Sequence, residues 1–336
     1  MANGLAKNAL GLESVTRAPT AMSRILYLSH DPDQPRGGVN VLYDHVFTLR
    51  QHGFDAFVVH ATPSYRYRFA QYPVPVIDAS TDFRVLKTDT LVVPEDYAAA
   101  IRRCRNLSCR KVLFCQGHYC IFDGLEPGEK WSDFGFSTYL CTSILMRQVM
   151  KRWFGVDASV VSPCVDTAFY SDEPKPLGPP FTVATMPRKG RRQLRFVQGL
   201  LAADGSGTSE ALSWVEISGM PQEDVATRLR NAHIYVATGV NEGLGLPPLE
   251  AMAAGCLVVG FAGGGGAEYA TAENGVWVPD EDVWALAEAL EQTISALSNP
   301  AAAGLLQARR MAGHATAQKY TRRRFEHELT AFWSGL

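Results

Sequence analysis

Residues 241–261 read NEGLGLPPLEAMAAGCLVVGF, and this stretch decides the fold. Residues 256–261 form a short apolar run of the kind found in buried parallel strands. Pro247 and Pro248 suit the first turn of a helix, because a missing N–H does no harm there. Gly255 suits the C-terminal cap of the same helix. The stretch therefore predicts a glycine loop, a short helix and a buried strand. We expect the apolar face of the helix to comprise Leu249, Met252 and Ala253.

Two carboxylates frame this unit with seven residues between them. Glu242 lies in the glycine loop. We expect Glu250 in the first helical turn, where backbone N–H groups are unpaired and the helix dipole favours anions. Either acid alone is compatible with simple dipole stabilisation at a helix start. The pair, with a glycine–proline spacer and a helix of small residues, is a much rarer combination and marks a candidate site.

The amino-acid composition limits which classes of protein this chain can belong to. The 336 residues predict about two domains. An apolar fraction of 46% and a charged fraction of 20% indicate a globular protein with a large core. The 32 basic and 34 acidic residues nearly balance, which gives no reason to expect a nucleic-acid partner. Seven scattered cysteines without a CxxC pair predict reduced, mostly buried thiols and no metal site.

Residues 1–21 are predicted to be a weakly ordered leader, since no charged segment precedes a continuous apolar run as in a signal peptide. No window approaches the length of a membrane span. We therefore expect a cytoplasmic protein. In the predicted helix 144–154, cations interleave with apolar residues. This pattern fits a core-facing helix with a solvated basic face, or a peripheral contact with anionic lipid at the inner face of the membrane.

Short apolar strands alternate with helices in the first half of the chain. The predicted strands are residues 24–29, 56–60, 90–94, 111–115, 136–141 and 158–161. Gly37 and Gly38 occupy the loop between the first strand and a helix over 41–52. There they form either a plain tight turn or a place where helix N–H groups meet an anion or sugar. No G-x-G-x-x-G motif is present, which disfavours a nicotinamide-dependent dehydrogenase.

His118 follows the predicted strand 111–115. Open α/β sheets bind ligands at the carboxyl ends of their strands, so His118 is a candidate functional residue as well as a candidate structural loop histidine. The proline-rich segment 171–180 is the clearest linker, and we place the domain boundary there.

Five cations crowd the start of the first helix of the second domain. They are Arg188, Lys189, Arg191, Arg192 and Arg195. Cations at a helix N-terminus oppose the dipole. A bound diphosphate would supply the missing negative charge; the alternative is a solvated basic helix face. The glycine run 263–266 follows a buried strand and allows close approach of backbone to a ligand.

Residues 242–255, EGLGLPPLEAMAAG, match the E-x(7)-E region of glycosyltransferase family 4 almost letter for letter. The chain resembles a retaining nucleotide-sugar glycosyltransferase of the GT-B fold over residues 23–335. The segments that follow this region in the family are matched by Gly263-Gly264 with Glu268 and by Asn274-Gly275 with Val278-Pro279. The matches in the first domain are weaker, namely Thr142-Ser143 and Val165-Asp166 with Phe169.

The resemblance implies an α/β fold of two Rossmann-like domains whose parallel sheets face each other across a cleft. Residues 22–172 would be the acceptor domain and 180–316 the donor domain, with a final helix in 317–336 packing back on the first domain. The implied activity is that of a retaining hexosyltransferase. It would move a sugar from a UDP- or GDP-linked donor to a carbohydrate or lipid-linked acceptor, without a metal cofactor, in polysaccharide or glycoconjugate synthesis.

The resemblance also implies roles for individual residues. Glu242, with His118 and Arg188, would act at the reacting centre. Gly37 and Gly38 would line the cleft near diphosphate and acceptor. The implied donor-binding residues are Glu250, Lys189, Arg192, Gly243, Leu244, Gly245 and Leu246. The sequence leaves open whether Lys189, Arg191 or Arg192 is the second diphosphate cation.

Two other readings of the same fold stay open. One is a GT-B phosphorylase or nucleotide-sugar epimerase. The other is a non-catalytic sugar-binding or partner module. The presence of both glutamates, the basic cluster and His118 argues against the second reading.

Overall fold

The computed structural model describes residues 14–15, 23–79, 83–171, 173, 175, 179–203 and 208–336. The chain divides into two compact units. One unit ends at Val161 and also includes Glu326–Leu336, and the other is Ser162–Phe325. The predicted leader lies outside the described residues except for Ser14–Val15. Half of the predicted linker, residues 172, 174 and 176–178, also lies outside them.

The first unit is built on a parallel sheet. Its described strands are β1 Ser14–Val15, β2 Ile25–Leu28, β3 Ala56–His60, β4 Val76–Asp78, β5 Val85–Leu86, β6 Thr90–Pro94, β7 Arg110–Cys115, β8 Thr138–Cys141 and β9 Ser159–Val160. Seven of these strands form one sheet in the order β4-β3-β2-β6-β7-β8-β9, with every neighbouring pair parallel, while β1 pairs with β5. The helices are α1 Gly37–Gln51, α2 Ala98–Cys104, α3 Ile121–Gly124 and α4 Ile144–Val149, which continues as a π-turn over Met150–Phe154.

The continuous apolar runs that predicted strands lie at the centre of this sheet. Every residue of β2 and β6 is buried, as is β7 from its second residue onward. The strand order reverses direction between β2 and β6, because the chain moves outward to β3 and β4 and then returns to the other side of β2. In open parallel sheets such a switch point leaves a crevice at the carboxyl ends of the two strands, where ligands bind.

The second unit repeats this plan. Its described strands are β10 Phe181–Thr185, β11 Leu212–Glu216, β12 Ile234–Ala237, β13 Leu257–Phe261 and β14 Val276–Val278. They form a parallel sheet in the order β11-β10-β12-β13-β14, which places the switch point between β10 and β12. The helices that follow are α5 Arg191–Ala203, α6 Gln222–Arg230, α7 Leu246–Ala253, α8 Val283–Leu297, α9 Ala303–Ala317 and α10 Arg322–Ser334.

Helix α10 begins in the second unit and continues into the first. At its start, the Arg324 guanidinium donates to the Ser162 hydroxyl over 3.2 Å. Near its end, Trp333 is buried and its indole N–H donates to the Tyr27 hydroxyl over 3.2 Å. Tyr27 lies on β2, so the C-terminal residues of the chain complete the core of the first unit.

The boundary between the units precedes the linker that the sequence predicts. Val165 and Phe169 pack in the core of the second unit, and the Ser171 N–H donates to the Ala253 carbonyl over 3.2 Å. Lys175 donates to the carbonyls of three residues that end or follow α6 and α7, namely Leu229, Arg230 and Ala254. The chain is therefore anchored on the second unit well before the proline-rich segment ends, because these apolar side chains and helix carbonyls find partners there.

Candidate active site

The switch point of the second unit carries the basic segment and the glutamate loop. Residues 186–190 follow β10, and residues 238–245 follow β12. Gly190 lies so close to Thr238 that a Cβ atom added to it would be 2.0 Å from the Thr238 carbonyl oxygen. Only a glycine fits at this approach, so the basic segment lies directly against the loop.

An ion pair joins the two segments. Lys189 Nζ lies 2.9 Å from Glu242 Oε2 and also donates to the Asn241 carbonyl over 2.9 Å. Arg191 instead pairs with Glu216 over 3.0 Å, and Arg192 is exposed. Of the three cations that the sequence leaves as alternatives, Lys189 is therefore the one held in the Glu242 loop.

The glycine run after β13 lies against the same loop. The Glu242 N–H donates to the Gly263 carbonyl over 2.8 Å, and the Gly265 N–H donates to the Glu242 carbonyl over 3.0 Å. A Cβ atom at Gly265 would lie 2.2 Å from the Gly243 carbonyl oxygen. The run thus allows backbone to approach backbone, and it holds the main chain of Glu242 on both sides.

Helix α7 has the predicted C-terminal cap. Gly255 has a φ of 75°, its N–H donates to Met252, and the Cys256 N–H donates to Ala251. These two hydrogen bonds form a Schellman motif, in which a left-handed glycine closes the helix. Leu249, Met252 and Ala253 are buried as predicted.

The predicted position of Glu250 in the first turn is wrong. The helix begins at Leu246, one residue before the two prolines, so Glu250 is its fifth residue and lies beyond the unpaired N–H groups. The ionisation of the Glu250 carboxyl is governed by burial and not by the helix dipole. Burial raises the pKa of the Glu250 carboxyl to about 7, and the negative charge of Asp166 adds to this shift.

Buried tyrosines support the loop. The Tyr269 hydroxyl donates to the Gly245 carbonyl over 2.6 Å. Burial raises the pKa of Tyr235, on β12, well above its usual range, and the charges of Glu250 and Glu242 raise it further. Both framing carboxylates therefore lie near one buried phenol. Leu244 is itself buried, which fixes the middle of the loop in the apolar core.

In the first unit, α1 begins at Gly37 rather than at the predicted Val41. Gly37 and Gly38 thus form the first helical turn. The Arg36 N–H, at the N-cap position, donates to the Tyr67 hydroxyl over 3.0 Å. Tyr67 lies 31 residues further along the chain, so no local capping signal in the sequence marks this helix start.

Gly38 and His118 belong to the same edge of the first sheet. A Cβ atom at Gly38 would lie 3.3 Å from Gln116 Oε1, and Gln116 is two residues before His118, where a short 3₁₀ helix begins. His118 Nδ1 is buried and has no hydrogen-bond partner among the described residues. Burial lowers the pKa of His118, which favours the neutral imidazole.

Glu95 is a buried acid that the sequence prediction missed. It follows β6 directly and is 2% exposed. Its Oε1 accepts the N–H groups of Gln116 over 2.8 Å and of Gly117 over 2.7 Å. Burial raises the pKa of Glu95 to about 8, and the charge of Asp96 contributes to this shift while the backbone hydrogen bonds oppose it. Its place after a buried strand was the signal that could have identified it.

Two features are absent from the described part of the chain. It contains no group of three or more His, Cys, Asp or Glu side chains that could hold a metal ion. None of its helices is long and apolar enough to cross a membrane.

Comparison with known proteins identifies the chemistry of the second unit. Residues 215–304, which include the Glu242 loop, α7 and the glycine run, match the model of the family described as glycosyl transferases group 1. This part of the chain is similar to a group 1 glycosyltransferase domain. At the level of reaction class, the activity of the protein is therefore glycosyl transfer. Its two Rossmann-like units agree with the GT-B fold of such enzymes.

Individual relatives are distant. An alpha-1,6-glucosyltransferase of Actinobacillus pleuropneumoniae serotype 7 (strain AP76) is 24% identical over 234 residues, which cover 68% of this chain and 69% of that protein. A glycosyltransferase structure from Rickettsia africae has a TM-score of 0.67 at 12% identity and covers 94% of this chain and 99% of its own. Anabaena HepE in complex with UDP-glucose has a TM-score of 0.66 at 14% identity, covering 93% and 100%. The two structures support the fold.

Proposed function

We propose that this glycosyltransferase moves a hexose from a nucleoside-diphosphate sugar to an acceptor hydroxyl with retention of anomeric configuration. The main support for this proposal is the contact between Lys189 and Glu242 at the β10–β12 switch point. It places a cation for the diphosphate beside a carboxylate for the sugar hydroxyls. Arg188, exposed one residue earlier, provides a second cation. Fixed cations can stabilise the leaving diphosphate in place of a metal ion, so we propose that no metal is required.

The proposed donor is UDP-glucose. A relative named as an alpha-1,6-glucosyltransferase and a fold neighbour solved with UDP-glucose support this choice. Glu250 would accept hydrogen bonds from the ribose hydroxyls, with the loop residues Gly243 to Leu246 around the sugar and Arg192 near the nucleotide. GDP-glucose is the alternative donor, and a calorimetric comparison of UDP with GDP distinguishes the two.

The proposed reaction breaks the bond between the sugar C1 and the diphosphate oxygen and forms a bond from C1 to the acceptor oxygen on the same face. The acceptor proton passes to the leaving phosphate oxygen. His118 and the helix start at Gly37 and Gly38 are proposed to approach the sugar and the acceptor from the first unit. The acceptor would be a carbohydrate or a lipid-linked glycan, in polysaccharide or glycoconjugate synthesis.

Calorimetry with UDP and GDP, followed by incubation with UDP-glucose, tests this proposal. We expect UDP to bind more tightly than GDP, and transfer to persist in EDTA with an α-linked product by NMR. Glu242→Ala should abolish transfer while the exposed Glu291→Ala leaves it unchanged. Near-normal turnover of Glu242→Ala would contradict the role of Glu242. With inorganic phosphate added, release of glucose 1-phosphate together with UDP would instead identify a phosphorylase, and formation of an epimerised nucleotide sugar would identify an epimerase.

Arg188→Ala should weaken UDP binding by at least about tenfold, since a charge-assisted contact with phosphate is worth about 1.5–3 kcal/mol. Arg228→Ala removes an equally exposed arginine from α6 and is the matched control. Equal calorimetric affinities for both variants would argue against a diphosphate site at Arg188.

We also propose that the first unit contacts anionic lipid peripherally. Large apolar side chains are exposed in its 3₁₀ and π segments and nearby helices, namely Tyr119, Phe122, Ile144 and Trp153. The Arg152 guanidinium stacks on Trp153, and Lys151 is exposed beside it. The exposed acid next to Phe122 is Asp123. Aromatic residues flanked by cations suit the interface of a negatively charged bilayer.

Sedimentation with vesicles of phosphatidylcholine and phosphatidylglycerol tests this surface. Trp153→Ala and Lys151→Glu should each reduce binding several-fold. Trp284→Ala, which removes a comparably exposed tryptophan from the second unit, should not. Binding that is equal to neutral and anionic vesicles, or absent from both, would contradict the proposal.

A further inference from the structure

The buried acid Glu95 lies at the switch point of the first unit, directly after β6. One carboxyl oxygen, Oε1, accepts two consecutive backbone N–H groups, those of Gln116 and Gly117. These residues connect β7 to the 3₁₀ helix that starts with His118. A single side-chain atom just beyond the end of one strand therefore fixes the main chain at the end of the neighbouring strand.

The Gln116–Gly117 segment adjoins both first-unit groups that the proposed function uses, His118 and the helix start at Gly37 and Gly38. His118 is the next residue after Gly117. The Gln116 side chain lies against Gly38 in the first turn of α1. A second, weaker anchor comes from Thr142, whose hydroxyl donates to the Gln116 carbonyl over 3.3 Å.

We propose that Glu95 is a positioning residue, which sets the placement of His118 and of the Gln116–Gly38 contact through its two backbone hydrogen bonds. This inference rests on the proposed transferase function. Glu95 itself has almost no exposed surface and would not touch the substrate.

The hydrogen-bond geometry defines what can replace Glu95. The contacts need an acceptor oxygen at the Oε1 position, and a glutamine amide supplies one at nearly the same place. An alanine supplies none and would leave two N–H groups in the interior without this acceptor, which is costly. With a pKa of about 8, the Glu95 carboxyl is mostly protonated at neutral pH, and the amide is a close mimic of that form.

The test compares Glu95→Gln with Glu95→Ala. At pH 7 we expect Glu95→Gln to keep kcat within about twofold of the parent. We expect Glu95→Ala to lose about 100-fold in kcat, the order of effect that a misplacement of about 1 Å produces. The KM for the nucleotide sugar should change little in either variant, because the proposed nucleotide contacts lie in the second unit. Asp133→Ala removes another carboxylate that accepts a backbone N–H in the first unit, that of Lys130, and should behave like the parent.

Amide hydrogen exchange gives a readout that does not depend on activity. The Gln116 and Gly117 amides should exchange faster in Glu95→Ala and remain protected in Glu95→Gln, and the His118 imidazole resonances should shift in the alanine variant alone. Unchanged protection and kcat in Glu95→Ala would overturn the proposal, and so would a loss in Glu95→Gln as large as in Glu95→Ala. If the parent transfers no sugar while the exchange data follow this pattern, the proposed function fails and the positioning contact stands.

Discussion

Glu250 shows how one half-buried carboxyl couples folding to pH. Its pKa rises from the ordinary 4.5 to about 7 because the folded chain buries it, with Asp166 nearby. A raised pKa means that the folded state binds the proton more tightly than the unfolded state does. The stability that comes from the protonated form is therefore complete below pH 4.5 and is lost as pH rises through about 7.

The substitution Glu250→Gln should remove this loss of folding stability with rising pH. Between pH 5 and pH 8 the parent should lose up to about 3 kcal/mol of unfolding free energy from this group, a bound set by the size of the pKa shift. The glutamine variant should show a correspondingly flatter pH profile in urea unfolding. Glu291→Gln, an exposed control, should follow the parent. The same slope in Glu250→Gln would show that other groups cause the pH dependence.

The ion pair between Lys189 and Glu242 predicts how the loss of one carboxylate should change nucleotide affinity. Glu242 pairs with Lys189, the cation that we assign to the diphosphate, and would compete with the diphosphate for it. Glu242→Gln should therefore raise the affinity for UDP, which lacks a sugar, by up to about fivefold, since a partly exposed pair is worth about 1 kcal/mol or less. Glu216→Gln, which breaks the pair with Arg191 instead, is the control. Weaker UDP binding by Glu242→Gln in calorimetry would contradict the competition.

Among the elements, the glycine run after β13 packs against the Glu242 loop through close backbone contacts. Gly265→Ala would force its Cβ against the Gly243 carbonyl oxygen, 2.2 Å away. We expect this clash to cost about 1–3 kcal/mol and to displace the Glu242 loop. Gly199→Ala in α5 is the matched control, because no atom lies within 4 Å of its Cβ position, and it should stabilise the helix by up to about 1 kcal/mol. Thermal unfolding and UDP affinity measure both effects, and equal behaviour of the two variants would contradict the role of the close contact.

The sequence predicted those elements whose signals are local. The buried strands β2, β6 and β12 follow from continuous apolar runs, and the end of α7 follows from Gly255. The edge strand β4, of three partly exposed residues, has no such run. The start of α1 depends on Tyr67, and the fixed segment before His118 depends on Glu95. Such partners are distant in the chain, so only the folded structure reveals them.

At the scale of the whole molecule, the first unit needs the C-terminal residues. Trp333 is buried and hydrogen-bonded to Tyr27 on the central strand β2. Trp333→Ala should cost about 3–5 kcal/mol of stability, as for other large-to-small core changes. Leu336→Ala, at a partly exposed position, should cost little. Urea unfolding followed by amide exchange should place the loss of protection in β2 and its neighbours, and a loss confined to the second unit would contradict this assignment.

The interrupted first unit also affects how the protein is made. Its strands leave the ribosome first, yet the segment that carries Trp333 emerges only after all of residues 162–325. During synthesis the second unit can therefore complete its own core while the first still lacks a buried tryptophan. The nascent first unit would expose the apolar surface around Tyr27 throughout that interval, which makes it the part of the chain that a ribosome-associated chaperone would bind.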